Sequence, residues 1–307
     1  MIDVALQAPS IMRLEGGLRT QGMFNNKSSP GKPLVTVVTV VRNGKEHIEE
    51  AIQSVLSQAY DNIEYIIVDG GSTDGTIEII KKYDDQVAYW ISEPDHGIYD
   101  AMNKGILLAR GELIGLLNSD DFYEKQAIQF VVNTYSSRGS NQPVIVYGNF
   151  YILDEELGLK TDFLSNLNYR QGMTICHQAM FVHKNIYLDL FLYDLTYKLA
   201  ADYDFFIKAI NHNVTFLNTD KFLVNFRNVG ATYNSVNPMY KETLSIIKKH
   251  FGYFSSQYFL LLLRVGKVIV QTTAKLIIEV FLGKKILKKV KIIQNKLLRK
   301  TWHDIAN

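Results

Sequence analysis

With 307 residues, 47% of them apolar and 21% charged, the chain can bury one large domain with an appendage or two medium ones; a mini-protein, a fibre and a disordered chain are excluded. Its single cysteine, Cys176, rules out an intrachain disulfide framework and a cysteine metal cluster, and fits a reducing compartment. The net charge of +2 hides an uneven distribution, because Arg264 to Lys300 holds eleven basic residues against one acid, Glu279, leaving −8 on the rest.

The first 30 residues contain no apolar stretch of about 7 to 15 residues such as a signal peptide needs, so the start reads as a mature cytoplasmic end. Residues 1–33 are expected to form an extension closing in a loop, Asn25 to Pro33, with regular structure beginning only after it. Val35 to Val41 is a β-branched run suited to a buried strand, and Ile48, Ile52, Val55 and Leu56 follow at helical spacing. The pattern recurs: Ile63 to Val68 and a helix from about Asp74; Val87 to Ile91 and a helix from about Gly97; Leu113 to Leu117 and a helix from about Glu124. This alternation predicts an α/β fold with a mostly parallel sheet and helices on both faces. Further strands are expected at Val144 to Tyr147, Ala179 to Val182 and Phe222 to Phe226, with a helix over Ala201 to Asn211, and the α/β unit should close near residue 235.

In open α/β sheets ligands bind beyond the carboxyl ends of the strands, where strand order reverses. Three polar loops emerge there: Arg42-Asn43-Gly44, the loop from Asp69 to Gly75, and Asn118-Ser119-Asp120-Asp121. The second reads either as a ligand-approaching loop or as a tight turn with Asp74 as helix cap. The third sets two adjacent carboxylates at the end of a buried strand, where they repel unless a cation such as Mg2+ or Mn2+ intervenes. On the later helix Asp202, Phe206, Ala209 and Ile210 share one face, which aims Asp202 inward as a candidate general base. Asp204 lies about 200° away, in register with Lys208, and reads as a surface salt-bridge partner. Cys176 has no further feature to support a thiol nucleophile, whereas His177 and Gln178 are expected to line the cleft. The seven histidines lack zinc-ligand spacing.

Taken together, Val35 to Asn43, Ser54 to Gln58, Ile63 to Thr76, Glu93 to Gly105, Arg110-Gly111-Glu112 and Asn118 to Asp121 resemble the family 2 glycosyltransferases of the GT-A fold, over residues 34 to about 230. The resemblance is closest to bacterial members that build O-antigen, capsule or other exopolysaccharide. It implies a Rossmann-like sheet flanked by helices and inverting transfer of a sugar from a nucleoside diphosphate donor, a UDP-sugar first among the candidates, to a hydroxyl acceptor. It also implies that Asn118-Ser119-Asp120 stands where the family has its DXD motif, with Asp120 as metal ligand for Mg2+ or Mn2+. Thr39, Arg42 and Asp69 fall where the family holds the nucleoside, Asp100 and Asn103 in its next donor-side segment, and Asp202 where it has its catalytic base. This sequence departs from the family at Asn118, which replaces an acid, at Gly70, which replaces a frequent base-reading acid, and at Arg42, which replaces a frequent stacking aromatic.

Residues 236–307 form the third expected region, a basic amphipathic helical tail. The uncharged run from Phe251 to Leu263 is 13 residues long, below the roughly 18 to 20 needed to span a bilayer. Aliphatic residues from Leu276 to Leu298 interleave with lysines, as in helices lying on an anionic leaflet, which would suit a lipid-linked saccharide acceptor and a peripheral place on the inner face of the cell membrane. Packing against protein is the alternative. Nucleic acid is not expected, for want of stacking aromatics. A dinucleotide oxidoreductase would need G-x-G-x-x-G after the first strand, which is absent, and a sugar nucleotidyltransferase a Gly-rich, Arg-containing loop there. The non-enzyme alternative is a nucleotide-sugar-binding subunit without turnover.

Overall fold

The computed structural model describes residues 13–138, 142–155, 158–168, 173–227, 236–252 and 256. The apolar and basic stretches expected from 257 onward lie outside them.

Strands β2 (Val35–Val41), β3 (Ile63–Asp69), β4 (Tyr89–Ser92) and β5 (Leu113–Asn118) run parallel in the spatial order β4-β3-β2-β5. All seven residues of β2 are buried, because the pleat sends alternate side chains into two cores. Val35, Val37 and Val41 meet α1 (Ile48–Leu56), α2 (Thr76–Lys81) and α4 (Ala127–Ser136) on one face. Val38 and Val40 meet α3 (Ile98–Leu108) and α5 (Ala201–Asn211) on the other. The α/β fold with a largely parallel central sheet between helical layers is thus as the alternation predicts.

Beyond β5 the sheet changes character. β9 (Met180–His183) lies antiparallel between β5 and β7 (Val144–Asp154), and β7 pairs in parallel with β10 (Thr215–Arg227). The two-residue β6 (Phe122–Tyr123) closes that edge on β10, and β8 (Leu159–Phe163) forms a hairpin with β7. Chain order reverses about β2: the path moves outward through β3 and β4, then returns to the other side as β5. The crevice at the carboxyl ends of β2 and β5 is therefore the place for a ligand.

Two observations differ from the sequence reading. Regular structure begins earlier, since β1 (Leu14–Gly16) pairs antiparallel with the outer edge of β4. And α6 (Val236–Phe251), which falls within the stretch read as basic tail, contributes buried Ile246 and Ile247 to the core that also holds Phe205 and Phe206 of α5.

Candidate active site

The loops after β2 and β3 are stitched together by side chains. The amide of Asn43 donates to Ser72 Oγ at 2.7 Å, that of Gly44 to Thr76 Oγ1 at 3.0 Å and that of Thr73 to Asn43 Oδ1 at 2.9 Å. Asn43 itself takes a left-handed φ of 53°, a region asparagine tolerates. Gly75, with φ of 101°, stands directly ahead of α2, and Asp74 one position earlier accepts from the amide and hydroxyl of Thr76, the first helical residue, and from the Lys45 amide. Asp69 is fully buried; its Oδ2 accepts from the amides of Gly71 and Ser72 and from Ser92 Oγ, and its Oδ1 is buried without a partner.

The expected nucleoside-side residues separate into two groups. Arg42 is exposed at the end of β2, and Asp100 lies partly exposed on the first turn of α3. Burial works against ionisation of Asp100, but the His96 amide and Lys104 hold its carboxyl below the usual range. Thr39, by contrast, is fully buried beneath the crevice with its hydroxyl accepting from Tyr65 at 3.0 Å. Asn103 spends both ends of its amide on Tyr193, donating to its carbonyl and accepting from its N–H. Both side chains are thus buried and partly engaged within the fold, Thr39 keeping its own hydroxyl proton and Asn103 a second N–H.

At the end of β5 the two acids diverge. Asp121 is almost fully buried, accepts from the Arg227 amide at 2.7 Å and from Gln178, and is pushed well above the usual carboxylate range by burial and then by Asp120. It is a structural acid. Asp120 stays partly exposed; burial raises its carboxyl too, against the attraction of His47, Arg227 and His177. Asn118 has a buried Oδ1 without a hydrogen-bond partner. A hard divalent cation fits this donor set, one carboxylate and one unsatisfied amide oxygen. Among the described residues no group of three or more His, Cys, Asp or Glu could hold a metal alone, so water and ligand oxygens would complete the shell.

Asp202 opens α5 from the far side of the crevice, with its side chain 19% exposed. Its Oδ1 accepts from Tyr99 Oη at 3.0 Å and from the Tyr203 amide at 2.9 Å, and its Oδ2 lies 3.5 Å from His177 Nδ1. The charge of His177 also acts to lower the carboxyl of Asp120, so the turn His177–Ala179 stands near both carboxylates. Its neighbour Gln178 is fully buried, and Cys176, whose thiol burial pushes far up, donates to Gln178 Oε1. A thiol nucleophile has no support there.

Asp204 overturns its sequence reading in one respect. The bond to Lys208 is present at 2.7 Å, but the carboxylate is fully buried, because α6 covers it and adds His250 at 2.8 Å and Lys249 at 3.3 Å. Arg227 and Glu242 were not singled out by sequence. Arg227 donates to Glu155, Glu50 and the carbonyl of Asp120, and Glu242 accepts from the amides of Lys198, Leu199 and Ala200 just ahead of Asp202. Neither lies in a motif, and only the packed fold brings them to the site.

Residues 36–186 match the family model described as glycosyl transferase family 2. The chain is 32% identical over 184 residues to an uncharacterized glycosyltransferase of Mycobacterium tuberculosis, covering 58% of this chain and 69% of that protein. The chain belongs to glycosyltransferase family 2. A PGL/p-HBAD biosynthesis glycosyltransferase of Mycobacterium bovis is 28% identical, over 59% of this chain and 71% of the relative. Among solved structures the GT-A fold is shared with Staphylococcus aureus TarS residues 1–349 in complex with UDP-GlcNAc, at a TM-score of 0.56 and 17% identity, over 74% of this chain and 69% of that one. The longer TarS chain is spanned to only 41% of its length. A Pyrobaculum calidifontis mannosyltransferase in complex with GDP-Man and Mn2+ matches at a TM-score of 0.53 and 13% identity, over 90% and 92% of the two chains.

Proposed function

We propose that this family 2 glycosyltransferase is an inverting enzyme that moves a sugar, of the hexosyl or N-acetylhexosaminyl class, from a nucleoside diphosphate-sugar to a hydroxyl of a saccharide acceptor. The observation that carries the reading is that two partly exposed acids, one at the end of β5 and one at the start of α5, share a neighbour in His177, which lies 3.5 Å from Asp202 and whose charge acts on Asp120. Relatives and fold neighbours support the substrate class, since they include proteins described with UDP-GlcNAc, with GDP-Man and in PGL/p-HBAD biosynthesis.

In this mechanism Asp202 accepts the proton of the acceptor hydroxyl. As that oxygen bonds to the anomeric carbon, the bond from the carbon to the diphosphate breaks on the opposite face, and configuration inverts. Asp120, assisted by Asn118 Oδ1, would hold Mg2+ or Mn2+, which when bound neutralises charge on the diphosphate oxygens. Arg42 and Asp100 are assigned to the nucleotide side, and Asp69 orders the loop between them through the amides of Gly71 and Ser72.

The test is release of nucleoside diphosphate from UDP-GlcNAc, UDP-glucose and GDP-mannose with Mn2+ present and water or added saccharide as acceptor. Asp120→Ala and Asp202→Asn should each abolish release while the protein stays folded; full activity in either removes that residue from the mechanism. Asn118, an amide where the family has an acid, favours one second reading, a donor-binding subunit without turnover. Calorimetric binding of a donor with no release would establish that reading.

The acceptor is proposed to be lipid-linked, in cell-surface polysaccharide assembly, with the basic segment after Arg264 resting on an anionic cytoplasmic leaflet. No helix among the described residues is long and apolar enough to cross a membrane. Flotation with anionic liposomes tests the contact, and a protein that stays in the soluble fraction at low salt argues for packing against protein.

A further inference from the structure

Asp202 is held by a residue 103 positions earlier in the chain. Tyr99 lies on the first turn of α3, beside Asp100, and its hydroxyl donates to Asp202 Oδ1 at 3.0 Å. The Tyr203 amide donates to the same oxygen, so Oδ1 is supplied twice, while among the described residues Oδ2 has only His177 Nδ1, at 3.5 Å and outside good hydrogen-bond distance. Two fixed donors on one oxygen set the carboxylate plane and leave the other oxygen with spare acceptor capacity.

The tyrosine is itself immobilised. Its ring is buried and packs on Tyr193 with centroids 5.4 Å apart, and Tyr193 packs in turn on Tyr187 and Phe205. The backbone of Tyr193 is pinned from both sides by the Asn103 amide, which gives that residue a role other than ligand contact. A chain of contacts therefore runs from Asn103 through Tyr193 and Tyr99 to Asp202. Burial, with the nearby Asp202 charge, keeps the Tyr99 phenol well above its ordinary pKa, so it remains a neutral donor throughout the working range.

We infer that Tyr99 is a positioning residue for sugar transfer: its hydroxyl orients Asp202 so that Oδ2 is the oxygen that takes the acceptor proton. The inference rests on the reading of Asp202 as the base. Since α3 also carries Asp100, the same helix that borders the nucleotide side fixes the geometry of proton removal.

Tyr99→Phe keeps the ring and removes only the hydroxyl. Measured as nucleoside diphosphate release with whichever of UDP-GlcNAc, UDP-glucose or GDP-mannose turns over, kcat should fall roughly 10- to 100-fold, with KM for the donor within about twofold of wild type. Tyr187→Phe, which removes from the same aromatic cluster a hydroxyl whose hydrogen-bond partner among the described residues is Tyr193 at 3.5 Å, should leave kcat unchanged and so controls for packing. Any residual release in an Asp202→Asn background, read at high enzyme concentration, should fall no further on adding Tyr99→Phe. Wild-type kcat in Tyr99→Phe beside an inactive Asp202→Asn overturns this inference alone, as does an equal fall in both backgrounds. Full activity in Asp202→Asn, or no release from any donor by the unaltered protein, overturns the base assignment and this inference with it.

Discussion

Arg227 donates from Nη1 to the main-chain carbonyl of Asp120 at 2.6 Å, while its own amide donates to Asp121 Oδ1 at 2.7 Å. The last residue of β10 thereby clamps both residues of the acidic pair after β5. The remaining guanidinium nitrogens reach Glu155 at 2.6 Å and Glu50 at 2.5 Å, so the clamp is anchored on two further segments. A lysine offers its three N–H donors from a single nitrogen and cannot span acceptors that Nε, Nη1 and Nη2 reach separately.

Arg227→Lys should therefore cost about 2 kcal/mol of stability, since both glutamates are about half exposed and can turn to water. Because the Asp120 backbone loosens, binding of Mn2+ with a nucleoside diphosphate should weaken more than the fold does. Thermal unfolding with and without UDP and Mn2+ checks this: the ligand-induced rise in Tm should shrink in the variant.

Asp204 gives a pH-dependent expectation. Burial opposes its ionisation, yet the bonds from His250 and Lys208 and the charge of Lys249 outweigh it and hold its carboxyl far below the usual range. A carboxylate with a depressed folded pKa contributes stability that is fully present above its unfolded value, near 4, and is lost as pH falls toward the folded value. Asp204→Asn should destabilise the protein by about 3 kcal/mol at pH 7, and urea midpoints should show the gap to wild type narrowing below about pH 4.

Glu242 of α6 accepts three successive amides, from Lys198, Leu199 and Ala200, at 2.8 to 3.0 Å. Glu242→Ala strands these donors at the entry to α5 and should cost about 1 to 2 kcal/mol. The same change should lower kcat by disturbing Asp202. Glu242→Gln, which retains one carbonyl acceptor, should fall between the two in both melting temperature and kcat.

Gly111 tests the packing at the amino-terminal ends of β2 and β5, the end of the sheet away from the crevice. A Cβ there would lie 2.5 Å from the backbone nitrogen and hydroxyl oxygen of Thr36, and Gly111 also donates to that hydroxyl at 2.8 Å. Backbone cannot yield as a flexible side chain does, so Gly111→Ala should destabilise by roughly 1 to 3 kcal/mol, read as a lower chemical-denaturation midpoint.

Much of this was legible in the chain. Val35 to Val41 and Leu113 to Leu117 are apolar runs with no helical period, and each proves to be a central strand, β5 extending one residue further. The inward aim of Asp202 followed from its spacing to Phe206 and Ala209, and its carboxylate does meet Tyr99 and His177. What failed depended on partners far away. The angular argument put Asp204 on the surface because nothing in its own helix announces α6, whose His250 lies 46 residues on. β9 intrudes antiparallel between β5 and β7, a choice of neighbour that no local pattern encodes. β1 was overlooked because three residues, Leu14-Glu15-Gly16, carry no period at all.

That three-residue strand guards more than its length suggests. Together with the amides of Leu18 and Arg19, which donate to the carbonyls of Val87 and Ala88, it occupies the outer flank of β4, and Asp84 locks it there through the Gly17 amide and Trp90 Nε1. A version of the protein trimmed to begin at residue 34 would lay that row of donors and acceptors open, ready to recruit an extended segment from another molecule. Solubility, rather than catalysis, is what such trimming would forfeit first.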